Sequence, residues 1–179
     1  RVDWAVLDAL RQFCDVPFTP VSSFFRHPRL IDAFAERVIA ARPTERDLIV
    51  FTAHSLPVSV IEGGDGYADE VAATAQAVAA KAGIARYEIA FQSAGRTPEP
   101  WIGPELGSFV KERAAAGATS FLIVPIGFLC DHTEILFDID VQASAVAREA
   151  GASLRRTESL NTSAPFIAML AELVRHADR

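Results

Sequence analysis

Apolar positions along the chain fall into two alternating rhythms. Continuous runs at residues 47–53 (DLIVFTA) and 121–126 (FLIVPI) have the length and β-rich composition of strands buried on both faces. Residues 86–92 (RYEIAFQ) read as a third strand and residues 153–156 as a weaker one. Between these runs apolar residues recur every three or four positions, which predicts helices. The first covers residues 2–13, with a stripe of Trp4, Leu7, Leu10 and either Val6 or Phe13. The next opens at Pro28 and runs to Pro43 on Leu30, Ile31, Phe34, Val38 and Ile39. Others span residues 67–82, closed by Gly83, and residues 104–116, closed by Gly117. A further helical pattern starts at Ile135 with Leu136 and Ile139, and the last covers residues 165–176. Residues 15–25 are rich in β-favouring side chains and predict a short strand whose Pro17 and Pro20 lie near an edge or an end. Gly63, Gly64 and Gly66 mark a loop over residues 61–67, and residues 93–104 form a long irregular segment around Trp101.

Strand and helix alternate throughout. That order predicts an α/β fold: a three-layer open parallel sheet of about four strands with helices on both faces, a single lobe over residues 1–179. No internal repeat or linker divides the chain.

Composition narrows the partners more than the fold. The 179 residues carry a net charge of −6 without a Lys/Arg cluster, which argues against nucleic acid. No apolar run approaches the roughly 20 residues that span a bilayer. Residues 1–13 are unlike a signal peptide, so the cytoplasm is the default compartment, and an opening Arg rather than Met reads as a fragment or processed product. Cys14 and Cys130 fit no CxxC pattern and read as free thiols.

The candidate chemistry gathers where two strands end. In open α/β sheets ligands bind outside the carboxyl ends of the strands. His54 stands at the end of one, and Cys130, Asp131, His132, Thr133 and Glu134 follow Gly127 at the end of another. An imidazole facing a carboxylate can bind a borderline divalent metal, or serve as a general base with its partner. Glu134 and Asp138, four apart, make a short acidic row on one helix face. Each has a plainer reading. His54 fits a turn histidine whose ring bonds the backbone; Asp131 three positions before Glu134 fits a variant capping box; Asp138 fits a solvated helix face. His132 fits a packed side chain, His27 and His176 fit the surface, and Trp101 fits either a structural anchor or a wall for a flat ligand.

Four collinear motifs then give a resemblance. FTAHSLP at 51–57, FQSAGRTPEPWIGPEL at 91–106, VPIGFLCDHTEILFDIDV at 124–141 and SLN at 159–161 resemble the ferrochelatase family, which inserts Fe²⁺ into a porphyrin. The loop around Trp101 is most similar to the coproporphyrin III branch of Gram-positive and related bacteria. The resemblance implies one Rossmann-like lobe of a chelatase fold, corresponding to the carboxyl-terminal half of the enzyme. It implies that His54 and Glu134 are the catalytic and metal-binding pair, that Asp131, His132 and Asp138 support the rim and acidic row, and that Ser93 and Trp101 face the porphyrin. The helix that carries the row has a π-type widening in this family.

It further implies Fe²⁺ as substrate with no other cofactor. No iron–sulfur cluster is expected, because Cys14 and Cys130 make no such set. The implied partners are the porphyrin and an amino-terminal lobe or a second copy, and peripheral membrane contact is compatible with the family. The chain departs from the family pattern at Gln142, where a third carboxylate is usual, at Phe137 in place of Tyr, and at Gly66 in place of Pro. Two other readings stand beside this one. One is a short chelatase acting on sirohydrochlorin or cobalt precorrins, which would lack the Trp101 loop; the other is a non-catalytic tetrapyrrole- or metal-binding module.

Overall fold

The two continuous apolar runs take the two central positions of the sheet, where a strand has a neighbour on each edge and helices on each face. The computed structural model describes residues 4–13 and 18–177. In chain order the elements are α1 (Trp4–Phe13), α2 (Pro28–Ala40), β1 (Asp47–His54), α3 (Val58–Glu62), α4 (Tyr67–Ala82), β2 (Glu88–Gln92), α5 (Leu106–Ala115) and β3 (Ser120–Val124). They continue as α6 (Thr133–Ile135), a π segment (Leu136–Ala143), α7 (Ser144–Glu149), β4 (Ser153–Arg156) and α8 (Ala164–Ala177). The strand order is β2-β1-β3-β4 and every pairing is parallel, as the alternation of strand and helix predicts.

Successive strand residues point to opposite faces, so each central strand feeds two cores. Phe51, Ala53, Leu122 and Val124 pack under α2, α4 and α8. Val50, Phe121 and Ile123 pack under α5, the π segment and α7. Each such fully buried Phe, Leu or Val contributes about 1.5–3 kcal/mol.

Register decides what reaches the carboxyl rim. β1 and β3 stop pairing at Phe51 and Val124, but β1 continues beside β2 to the pair His54 and Gln92. The chain leaving β3 then returns across β1. The Gly127 amide donates to the Thr52 carbonyl at 3.0 Å, and a Cβ on Gly127 would lie 2.6 Å from the Ala53 Cα. Only glycine fits this crossing.

Several expectations are corrected. Residues 18–24 form no strand, and Asp15 to Pro17, with Cys14, lie outside the described residues. Pro20 has no amide to give to a ladder; the segment is held against α4 instead, through Ser23 to Glu70 and Thr74 to the Phe25 carbonyl. Of the α1 stripe Leu7 is buried, whereas Val6, Leu10 and Phe13 are exposed, and Ile39 of α2 is exposed too. Five residues after Pro57 form α3, so the glycine loop is shorter than expected. His27 is the N-cap of α2: its Nδ1 accepts from the Arg29 amide and its Nε2 lies 3.6 Å from Glu172 of α8, a packing role rather than a surface one.

Candidate functional site

His54 is held on three sides. Its ring Nδ1 is hydrogen-bonded to the Ser55 carbonyl; because that oxygen can only accept, Nδ1 carries a proton, and in the neutral ring the lone pair is on Nε2. The backbone carbonyl of His54 accepts from the Tyr67 hydroxyl at 3.0 Å. Burial pushes the Tyr67 phenol up to about 12, so it remains a donor at any working pH. The Ser55 hydroxyl donates to the Ile102 carbonyl at 2.6 Å, and the Ser55 amide donates to the Gln92 carbonyl at 2.7 Å. The backbone-bonded turn histidine expected from the sequence and the chemically available imidazole are therefore one arrangement, with one nitrogen anchored and the other open.

The open nitrogen faces Glu134: Nε2 and Oε1 are 3.6 Å apart, with the side chains 35% and 48% exposed. The Phe128 ring sits between the two imidazoles of the rim, 6.4 Å from His54 and 5.4 Å from His132 between ring centroids. That packing fixes where the loop after β3 can run.

The same loop is latched from below by Asp131. Its carboxylate accepts from Ser159 at 2.9 Å and Asn161 at 2.8 Å, and Arg156 lies 3.2 Å away. The Asn161 side chain returns an acceptor to the Asp131 amide. The Asn161 hydrogen bond, with Ser159 and Arg156, outweighs burial and holds the Asp131 carboxyl below the usual range. The capping-box reading of Asp131 and Glu134 is thus corrected. The N-cap of α6 is His132, without a side-chain cap bond, and Asp131 turns toward the loop before α8.

Glu134 lies in α6, just before the π segment, and Asp138 within it. In an α-helix residues four apart drift by about 40° around the axis. The i→i+5 bonding of a π turn widens the helix and offsets that drift, and Glu134, Asp138 and Gln142 all line one cleft of about 800 Å³. Ser93, in the left-handed region at φ 61°, lines the same cleft and donates its hydroxyl to Asp138. A non-glycine residue held there is strained, a feature that gathers at functional sites.

Trp101 is not among the residues lining this cleft. Its indole lies over Gly95, where an added Cβ would come within 2.4 Å of the ring, and its Nε1–H donates to Thr97 at 2.9 Å. The loop is tied to the His54 turn by the Ile102 amide on the Leu56 carbonyl and the Val58 amide on the Pro100 carbonyl. Tyr67, Gln92 and Phe128 were not singled out from the sequence. A Gln ending a strand opposite His54 was the available signal for Gln92.

Among the described residues no three His, Cys, Asp or Glu stand close enough together to hold a metal ion, and Cys130 is free and exposed. The rim pair His54 and Glu134 offers two metal-capable side chains 3.6 Å apart. None of the helices in the described residues is long and apolar enough to cross a membrane.

The family model described as Ferrochelatase matches residues 4–178. The chain is 39% identical over 166 residues to a ferrochelatase of Thermus thermophilus, covering 90% of this chain and 52% of that protein. It is 42% identical over 167 residues to a ferrochelatase of Deinococcus radiodurans, with 89% and 53% covered. It is 39% identical over 161 residues to a coproporphyrin III ferrochelatase of a Geobacillus species, with 86% and 52% covered. The chain thus spans about half the length of the curated relatives it matches.

Proposed function

The chain belongs to the ferrochelatase family, and on that footing we propose that it is the carboxyl-terminal, catalytic lobe of an enzyme inserting ferrous iron into a porphyrin. The observation that carries this reading is the His54–Glu134 pair, an imidazole with a free Nε2 set 3.6 Å from a carboxylate at the carboxyl rim. Metallation removes two pyrrole protons and strips water from the ion. His54 Nε2 takes a proton or coordinates the entering ion, and Glu134 offsets the positive charge that results. Asp138, hydrogen-bonded to Ser93, continues the acidic row and passes protons outward. A macrocycle bound off-planar exposes its nitrogen lone pairs, with the distortion driven by binding at its periphery.

The substrate we propose is coproporphyrin III, since relatives from Geobacillus and Bacillus carry that name and align over the Trp101 loop and the rim. The other wall of the porphyrin site comes from an amino-terminal lobe. Phe137 and Val141, exposed on the π segment beside the cleft, are apolar surface for such a lobe. The cytoplasm is the compartment this reading takes.

The test is metallation by the complete protein under reducing conditions, followed by porphyrin absorbance, with coproporphyrin III and protoporphyrin IX compared. Faster turnover of coproporphyrin III, lost in His54→Ala, is the expected result. Turnover that persists in His54→Ala would remove the imidazole from the mechanism.

A further inference from the structure

Among the described residues, one buried polar group stands apart and plays no part in the proposed metallation. Gln92 ends β2, is 2% exposed, and both its Nε2 and Oε1 are buried without a hydrogen-bond partner from the protein. A buried amide with no partner keeps its full desolvation penalty, so such groups call for a reason. Its position supplies one. Gln92 pairs in register with His54, and lines the same cleft as Glu134, Asp138 and Ser93. Strand alternation puts it on the sheet face of Ala90, under the π segment, rather than that of Phe91. Thr52, 0% exposed and two residues before His54 on the same face of β1, has an equally unpartnered hydroxyl. Gln92 and Thr52 therefore put two unpartnered polar groups on the sheet face that carries His54.

Charge alone does not direct a cation through this cleft. Glu105, Glu134 and Asp138 line it, but so do Arg96 and Lys111, three acids against two bases. With opposing charges close to balance, directed hydrogen bonds decide where an ion rests. A primary amide provides both kinds: its oxygen accepts from a metal-bound water, and its NH₂ donates to a neighbouring carboxylate. We propose that Gln92 is a positioning residue for the hydrated ferrous ion, engaging its water shell between Asp138 and the His54–Glu134 pair. The proposal rests on the metal-insertion reading. It assigns the entry of the ion, not the binding of the macrocycle, to this side chain.

The experiment compares wild type, Gln92→Met and Gln92→Glu in the complete protein, measuring KM for Fe²⁺ and for coproporphyrin III separately, with Tm alongside. Co²⁺ affinity, read from its visible absorption, reports metal binding without turnover. Gln92→Met, which keeps the shape and removes the amide, should leave Tm unchanged or raised and the porphyrin KM unchanged. Its KM for Fe²⁺ should rise on the order of tenfold, the loss of one hydrogen bond to a charged group, and Co²⁺ affinity should fall in parallel. Gln92→Glu, which keeps an acceptor, should restore the metal KM.

A lower Tm in Gln92→Met with both KM values unchanged would mean a structural solvent site and overturn the proposal, as would a rise confined to the porphyrin KM. Should Gln92→Met fail to fold, Gln92→Glu decides: a raised KM for Fe²⁺ there also overturns it. If wild type binds porphyrin and inserts no metal, the functional reading falls instead, and Gln92 is then judged on Co²⁺ affinity alone.

Discussion

At the amino edge of the sheet the Asp47 carboxylate accepts from Ser120 at 2.7 Å, from the Thr44 amide at 2.7 Å and hydroxyl at 3.0 Å, and from Arg155 at 2.8 Å. At the carboxyl edge, among the described residues, Glu134 has one polar partner, the His54 ring at 3.6 Å, and Asp138 has the Ser93 hydroxyl. The Asp47 side chain is 3% exposed, and that of Glu134 is 48% exposed. Burial alone would raise the Asp47 pKa, but the hydrogen bonds from Ser120, Thr44 and Arg155 outweigh it and bring the carboxyl below its ordinary value. Its partners belong to β3, to β4 and to the turn before β1, so one carboxylate stitches three strands together. The difference is one of saturation. A carboxylate with all its acceptor sites filled holds a fold, whereas one with sites left over can take up a proton or an ion.

The contrast is sharpest in what substitution does at each end. His54→Ala should lower the metallation rate about 10²- to 10⁴-fold, the range for loss of a positioned proton acceptor, while thermal melting changes little. Asp47→Ala should do the opposite. Unfolding titrations are expected to show a loss of about 2–3 kcal/mol from several charge-assisted bonds, with the rate per folded molecule unchanged. A slowed rate in folded Asp47→Ala would break the division between the two edges.

Asp131 blurs the division, since it stands at the carboxyl rim yet, like Asp47, accepts hydrogen bonds on both oxygens. Its folded pKa lies below the ordinary value of 3.8, so its stabilisation is complete above that value and is lost as pH falls through the folded pKa. Asp131→Asn should cost about 1 kcal/mol at neutral pH, a modest figure because the group is a third exposed. The deficit should shrink in melts taken progressively below pH 4. A deficit that stays constant with acid would show that Asp131 acts by shape and not by charge.

The parts of this molecule legible in the sequence are those set by local pattern. Asp47 and Phe121 open runs too apolar and too short to be anything but central strands, and the order of the elements around them leads to the parallel sheet. His54 and Glu134 were legible as chemistry at strand ends, and the π segment came from the family resemblance. Local pattern misled where tertiary partners decide. Phe18 to Phe25 has strand-like side chains but follows α4 through Ser23 and Thr74. Asp131 has capping spacing, yet Ser159 and Asn161, brought near by β4 and α8, outcompete the helix amides for it. Gln92 is legible only as a strand end for the same reason: an amide there is ordinary until the π segment covers it and leaves it unpartnered.

The measurement that bears most directly on the unsaturated carboxyl edge is Fe²⁺ insertion into coproporphyrin III by Glu134→Gln, with porphyrin affinity taken from fluorescence in the same samples. Glutamine keeps the size and removes the charge facing His54. Insertion should fall at least about a hundredfold, with porphyrin affinity and Tm held near wild type. Insertion within a few fold of wild type would mean that the His54–Glu134 pair does not carry the chemistry.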